Sequence, residues 1–192
     1  MALIYFDTSV FIRYFMGDPD ITNSQVYSQI DRLNSGKDVA AVSYLVLLEV
    51  IEVIRNKVIQ REHFNGVDQI EIDRIKEKAN LKVKEFIDYI TQLSTEGKVQ
   101  ILNSKVPFEE HLERSIKELR SIDFRIYNYH KCKICKQPID PVYAFKGLGQ
   151  TDIQHAIIAK NIQCDEIVSA DQWFNTLKGK KEFADIKITT IK

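Results

Sequence analysis

Five short runs rich in β-branched and aromatic residues punctuate this chain: Ile4–Phe6, Val39–Val42, "VQILN" (99–103), Glu166–Ser169 and "IKITTI" (186–191). Between them lie longer stretches whose apolar residues recur at steps of three and four. Alternation of this kind fixes the fold class. Strands separated by helix-length crossovers pair in parallel, and a parallel sheet must be covered by helices on both faces. The expected fold is therefore a three-layer α/β/α unit with a mostly parallel central sheet. Sites in such sheets collect at the carboxyl ends of the strands.

The helical stretches carry their own stop and start signals. Ser24 precedes a helix to about Leu33, with Val26, Ile30 and Leu33 at helical spacing, and Asn34-Ser35-Gly36 ends it. Ser43 is placed to cap "YLVLLEVIEVIRNKV", whose apolar content on nearly every face implies burial between other elements. From Ile70 to Leu93, Ile72, Ile75, Ala79, Val83, Phe86 and Ile90 keep three- and four-residue steps among Lys and Glu, so one long amphipathic helix is expected, closed by Gly97. Further helices are expected over Glu109–Leu119 and Thr151–Gln163, whereas 121–149 shows no clear period. At 192 residues the chain suits a single domain spanning 1–192, with insertions at about 59–96 (the long helix) and 121–149 (a Cys-x-x-Cys loop).

Composition narrows the function classes. Lys plus Arg (27) balances Asp plus Glu (27), so a polyanion must be held by local basic patches. No apolar run approaches the roughly 20 residues needed to span a bilayer, and no signal segment opens the chain, so no membrane association and a cytoplasmic location are expected. Three cysteines argue against a disulfide framework and agree with a reducing compartment.

Asp7 and Asp171 fall directly after expected strands, on what should be one carboxyl edge of the sheet. Asp152 opens a helix, and Glu49 lies about two turns into the most apolar helix of the chain. Each has a structural account: Asp7 and Asp171 as helix caps, Asp152 as an acid at a positive helix end, Glu49 with Glu52 and Asn56 as a solvated stripe. Gathered in one pocket, four carboxylates would repel and take up protons unless cations sat among them. Mg²⁺ or Mn²⁺ answers that need with oxygen ligands, and a phosphodiester is then the natural substrate.

Four segments, "YFDTSVFI", "VSYLVLLEVIEVIR", "GQTDIQHAIIAKNI" and "EIVSADQWF", resemble in order and spacing the PIN-domain ribonucleases. The resemblance covers roughly residues 1 to 58 and 149 to 192. It implies a PIN-like fold and a metal-dependent endoribonuclease, with Asp7, Glu49, Asp152 and Asp171 as metal ligands or water-activating groups. Thr8, Ser9 and Ser169 are the implied hydroxyl donors that hold the acids. RNA is the implied substrate. Many members of that family are toxins paired with an antitoxin protein and others process RNA, so an antitoxin partner and a homodimer both stand as expectations.

The middle of the chain departs from the compact family pattern. "YNYHKCKICKQPIDP" sets Cys132 and Cys135 at Cys-x-x-Cys spacing beside His130, half of a tetrahedral Zn²⁺ site or a pair of reduced thiols on a surface loop. Lys131, Lys133 and Lys136, with Arg125, Tyr127, Tyr129 and Tyr143, mix cations with stacking surfaces as single-stranded RNA sites do. Arg13 and Arg55 are further candidate phosphate contacts, and His155 reads as a partly buried structural histidine. Two other functions stay open: a non-catalytic RNA- or protein-binding scaffold, and a phosphotransferase with Asp7 as nucleophile. The latter usually carries a second Asp two positions on, where this chain has Ser9.

Overall fold

The computed structural model describes residues 1–17, 24–61, 69–102, 123–127, 142–146 and 148–191. The described chain runs β1 (Leu3–Phe6), α1 (Thr8–Met16), α2 (Ser24–Asn34), β2 (Val39–Ser43), α3 (Tyr44–Arg61), α4 (Gln69–Thr95) and β3 (Val99–Leu102). It continues with β4 (Asp123–Tyr127), β5 (Val142–Lys146), α5 (Gln150–Asn161), β6 (Glu166–Ser169), two 3-10 helices (Gln172–Gly179 and Lys181–Phe183) and β7 (Lys187–Thr190). Two compact units are distinguished, one of Met1–Lys105 with His155–Lys192, the other of Val106–Gln154.

All five strands expected from the sequence enter one sheet of the larger unit, in the order β3-β2-β1-β6-β7, every pair parallel. The fold is the three-layer α/β arrangement that the alternating pattern implied. Side chains alternate across β1, and its two buried aromatic residues show both layers. Phe6 packs on Phe11 of α1 at 6.0 Å between ring centroids, and Phe11 packs on Phe86 of α4 at 5.9 Å. Tyr5 instead meets His155 of α5, at 5.9 Å. Parallel neighbours joined by right-handed crossovers demand this division: β1 to β2 to β3 winds one way across the sheet, and β6 to β7 the other.

Winding in both directions from β1 makes the gap between β1 and β6 the topological switch point, the place where sheets of this class bind ligands. The register sets Phe6 opposite Val168, so the residues that follow, from Asp7 and from Ser169, leave the sheet side by side. The Asp7 amide donates to the Val168 carbonyl at 3.0 Å and holds that junction closed.

Helix ends follow their expected signals. Gly36 and Gly97 adopt positive φ (65° and 71°), the left-handed conformation that glycine takes without steric cost, and each follows a helix at the expected stop. Ser43 Oγ accepts from the Val46 amide at 3.3 Å, the cap expected of it. In α4, Ile75, Ala79, Phe86, Ile90 and Leu93 are buried, the stripe read from the sequence. α5 starts one residue earlier and ends two residues sooner than expected.

The 121–149 stretch differs from its expectation. It contains two strands, β4 and β5, paired antiparallel with Asp123 opposite Lys146 and Tyr127 opposite Val142. The expected helix over 109–119 and the Cys-x-x-Cys segment lie outside the described residues. Among the described residues no helix is long and apolar enough to cross a membrane.

Candidate active site

Asp7 is the pivot of the switch-point edge. It is 3% exposed, yet its carboxylate Oδ2 is surrounded by donors. Ser9 Oγ donates to it at 2.5 Å and Ser169 Oγ at 2.8 Å. The same serines are fixed from behind: the Ala170 amide donates to Ser9 Oγ at 2.8 Å and the Asp171 amide to Ser169 Oγ at 2.9 Å. α1 and β6 thus each send one hydroxyl to a single oxygen, and each hydroxyl is oriented by a backbone N–H. Asp7 also caps α1, but its bond from the Ser9 amide is 3.4 Å, so the two hydroxyls hold it and the cap is secondary.

Glu49 projects from α3 toward the same edge. Thr8 Oγ1 donates to Glu49 Oε2 at 2.6 Å, and His155 Nε2 lies 2.8 Å from that oxygen. His155 Nε2 is also 3.9 Å from Asp7 Oδ1. The imidazole therefore stands between the two acids. It is 1% exposed, more deeply buried than the sequence suggested. Behind it, Tyr5 OH lies 2.7 Å from Nδ1 and 2.8 Å from Ser43 Oγ. Burial holds the Tyr5 phenol well above its ordinary pKa, so it stays protonated. Nε2 faces the Glu49 carboxylate and so carries a proton toward it, while the Tyr5 hydroxyl bridges Nδ1 and Ser43 Oγ.

Asp171 is linked to Asp7 through Ser169, which donates to the one carboxylate and accepts from the other residue's amide. Its own Oδ1 accepts from the Trp173 amide at 2.9 Å and so caps the first 3-10 helix. Asp152 lies in the smaller unit, in the first turn of α5, where its Oδ2 accepts from the Gly149 amide at 2.8 Å. Arg13 is exposed and donates from Nη2 to the Ala170 carbonyl at 3.2 Å; Arg55 is exposed on α3. His130, Lys131, Cys132, Lys133, Cys135 and Lys136 lie outside the described residues.

Three of the four acids singled out in the sequence thus belong to one hydrogen-bonded edge of the larger unit. Among the described residues no three His, Cys, Asp or Glu side chains are grouped as a ready ligand cage. The donor set is nonetheless of the chemistry that Mg²⁺ and Mn²⁺ prefer, carboxylate oxygen, and Mg²⁺ typically binds one or two carboxylates with substrate phosphate and water rather than an all-protein cage. Asp7 Oδ1 receives no hydrogen bond from a described residue while Oδ2 receives three, so Oδ1 is the oxygen of this fixed carboxylate that is available to a cation.

No protein-family model matches the sequence, and no curated protein matches it. Among solved structures, the chain is similar to VapBC2 from Rickettsia felis bound to a DNA fragment from their promoter, with a TM-score of 0.50 and 14% identity over 99% of each chain. At that identity the likeness is one of fold.

Proposed function

We propose that this protein is a metal-dependent endoribonuclease that hydrolyses RNA phosphodiester bonds. The observation that carries the reading is the paired serine clamp on Asp7 at the switch point: a buried carboxylate with one oxygen tied by Ser9 and Ser169 and the other left to a cation. Asp7, Glu49, Asp152 and Asp171 are the residues proposed to hold Mg²⁺ or Mn²⁺ or to take a proton from the attacking water. When bound, the ion supplies positive charge against the phosphate oxygens and makes water a stronger acid. The chain's own part is orientation. Ser9 and Ser169 fix Asp7, Thr8 and His155 fix Glu49, and the buried Tyr5–Ser43 pair fixes the imidazole. Preorganised groups of this kind need no rearrangement as charge develops in the transition state.

The solved neighbour is an assembly bound to DNA. With the resemblance to PIN-domain toxins, this supports an antitoxin protein as partner of the present chain, and a homodimer as its working form. A Zn²⁺ ion at Cys132, Cys135 and His130 is a separate proposal that elemental analysis of the purified protein decides.

Asp7→Asn and Asp152→Asn should each abolish Mn²⁺-dependent cleavage while melting temperature changes little. Sequencing the RNA fragments made by the wild type and absent with Asp7→Asn names the cut site. Full activity in both variants removes the assignment. One observation favours a second reading, a non-catalytic RNA- or protein-binding scaffold: Glu49 Oε2 already accepts from Thr8 and His155, as a structural carboxylate would. RNA binding that persists in EDTA, with no metal-dependent cleavage of any RNA tested, would establish that reading.

A further inference from the structure

The chain has a single tryptophan, Trp173, and it follows the candidate acid Asp171 by two residues. Its indole is 40% exposed although both its neighbours in the 3-10 helix core, Phe174 and Leu177, are fully buried. Those two anchor the turn and leave Trp173 on its outer side. The backbone of Trp173 is tied at both ends: its amide donates to Asp171 Oδ1 at 2.9 Å, and Thr176 Oγ1 donates to its carbonyl at 2.7 Å. Arg13 reaches the same segment from α1 and donates to the carbonyl of Ala170, the residue before Asp171. A guanidinium bound to the Ala170 carbonyl and an exposed tryptophan two residues after Asp171 therefore share one fixed stretch of backbone, 170–173.

We propose that Trp173, with Arg13 bound to the same segment, forms a subsite that stacks a nucleobase of single-stranded RNA and holds a neighbouring phosphate. This rests on the ribonuclease reading for its choice of ligand. An aromatic face binds any base, and a planar guanidinium pairs with phosphate oxygens, so the two together suit an unpaired strand of unrestricted sequence. Rigid backbone lowers the entropy cost of the contact. A chain with balanced charge gains no long-range attraction for RNA, so a local pair of this kind is what must retain the strand.

One tryptophan makes the test direct, since all indole emission comes from position 173. The full-length Asp7→Asn variant, in EDTA so that nothing is cut, is titrated with mixed-sequence single-stranded RNA 12-mers. Indole emission and the anisotropy of an end-labelled oligonucleotide are followed together. Emission should be quenched in step with anisotropy. Adding Trp173→Ala should raise Kd about fivefold to 100-fold, whereas Trp173→Phe, which keeps a stacking face, should stay within about threefold. Adding Arg13→Ala should flatten the salt dependence of binding by about one phosphate contact.

Binding without a change in emission overturns the subsite. So does unaltered affinity in Trp173→Ala, or a response to a partner protein with no response to RNA. The two readings fail separately. Wild-type cleavage with an unchanged KM in Trp173→Ala removes the subsite and leaves the nuclease; quenching by RNA without metal-dependent cleavage by the wild type does the reverse.

Discussion

Two carboxylates lie buried at opposite ends of the β1–β6 pair, and the protein treats them differently. Glu166, at the amino end, is 3% exposed and is fully compensated: Arg32 pairs with it at 2.7 Å, Lys187 at 3.0 Å, and Thr189 Oγ1 donates at 2.5 Å. Burial by itself would raise its pKa, but the hydrogen bonds from Thr189, Arg32 and Lys187 outweigh it and hold the group below the usual carboxylate range. Asp7, at the carboxyl end, is equally buried but receives only two hydroxyls and the Ser9 amide; among the described residues no Lys or Arg pairs with it. A buried charge normally needs a partner of opposite sign. One end of the sheet carries its cations in the sequence, and the other is the end proposed above to take one from outside. That contrast separates scaffold from site more sharply than burial or residue type does.

Exchanging charge for an amide at each end should therefore give opposite results. Asp7→Asn should lower the Mn²⁺-dependent cleavage rate by at least about 10³-fold, close to 4 kcal/mol of transition-state stabilisation. Its melting temperature should move by no more than about 3 °C, since an Asn oxygen can still accept a serine hydroxyl. Glu166→Gln should do the reverse. It weakens charge-assisted bonds to Arg32 and Lys187 at a cost of about 2 kcal/mol, or about 4–8 °C for a chain of this size, with the cleavage rate per folded molecule unchanged. Arg32 keeps Asp38 at 2.7 Å, which limits the loss. Thermal melts and single-turnover rates on the same samples check both, and a variant pair that loses stability and activity in the same proportion would erase the distinction.

Acid should expose the same asymmetry at smaller scale. Because the folded pKa of Glu166 is lowered, its contribution to stability is complete above the ordinary glutamate value of about 4.3 and is lost as pH falls through the folded value. The gap in urea midpoint between wild type and Glu166→Gln should be constant from pH 5 to 7 and should close below about pH 4. A gap that widens on acidification would assign the compensation at that end of the sheet to some other group.

How much of this was legible in the sequence depended on chain distance. The five strands of the sheet announced themselves because each is a short apolar run next to a helical period, and both signals are local. β4 and β5 were passed over although Asp123-Phe124-Arg125-Ile126-Tyr127 does alternate; the surrounding basic and aromatic residues hid a five-residue pattern. The acids at 7, 49 and 171 stood out because carboxylates are rare in apolar segments. His155 did not stand out. Its partners Tyr5 and Glu49 lie 150 and 106 residues away in the chain, and nothing within a turn of it indicates that it bridges two acids. A lone histidine on an apolar helix face reads as core until the sheet brings its partners to it.

The smallest expected effect tests to which end of the comparison that histidine belongs. Tyr5→Phe removes one hydroxyl from a place where Tyr5 and Ser43 are fully buried, and leaves His155 Nδ1 and the Ser43 hydroxyl each without the partner they had. The net loss should be about 1 kcal/mol, because Ser43 keeps its bond from the Val46 amide. If the tyrosine only fills and satisfies the core, as Thr189 does for Glu166, that loss is the whole result. If it also fixes the tautomer that presents Nε2–H to Glu49, the imidazole is freed to turn its unprotonated nitrogen toward a carboxylate, and the two would repel. The second outcome is expected: kcat should fall about threefold to tenfold with KM unchanged, beyond what the lost stability removes. Equal kcat in Tyr5→Phe and wild type at a temperature where both are folded would return Tyr5 and His155 to the scaffold and leave Asp7 with its serines, and Glu49 with Thr8, as the prepared parts of the edge.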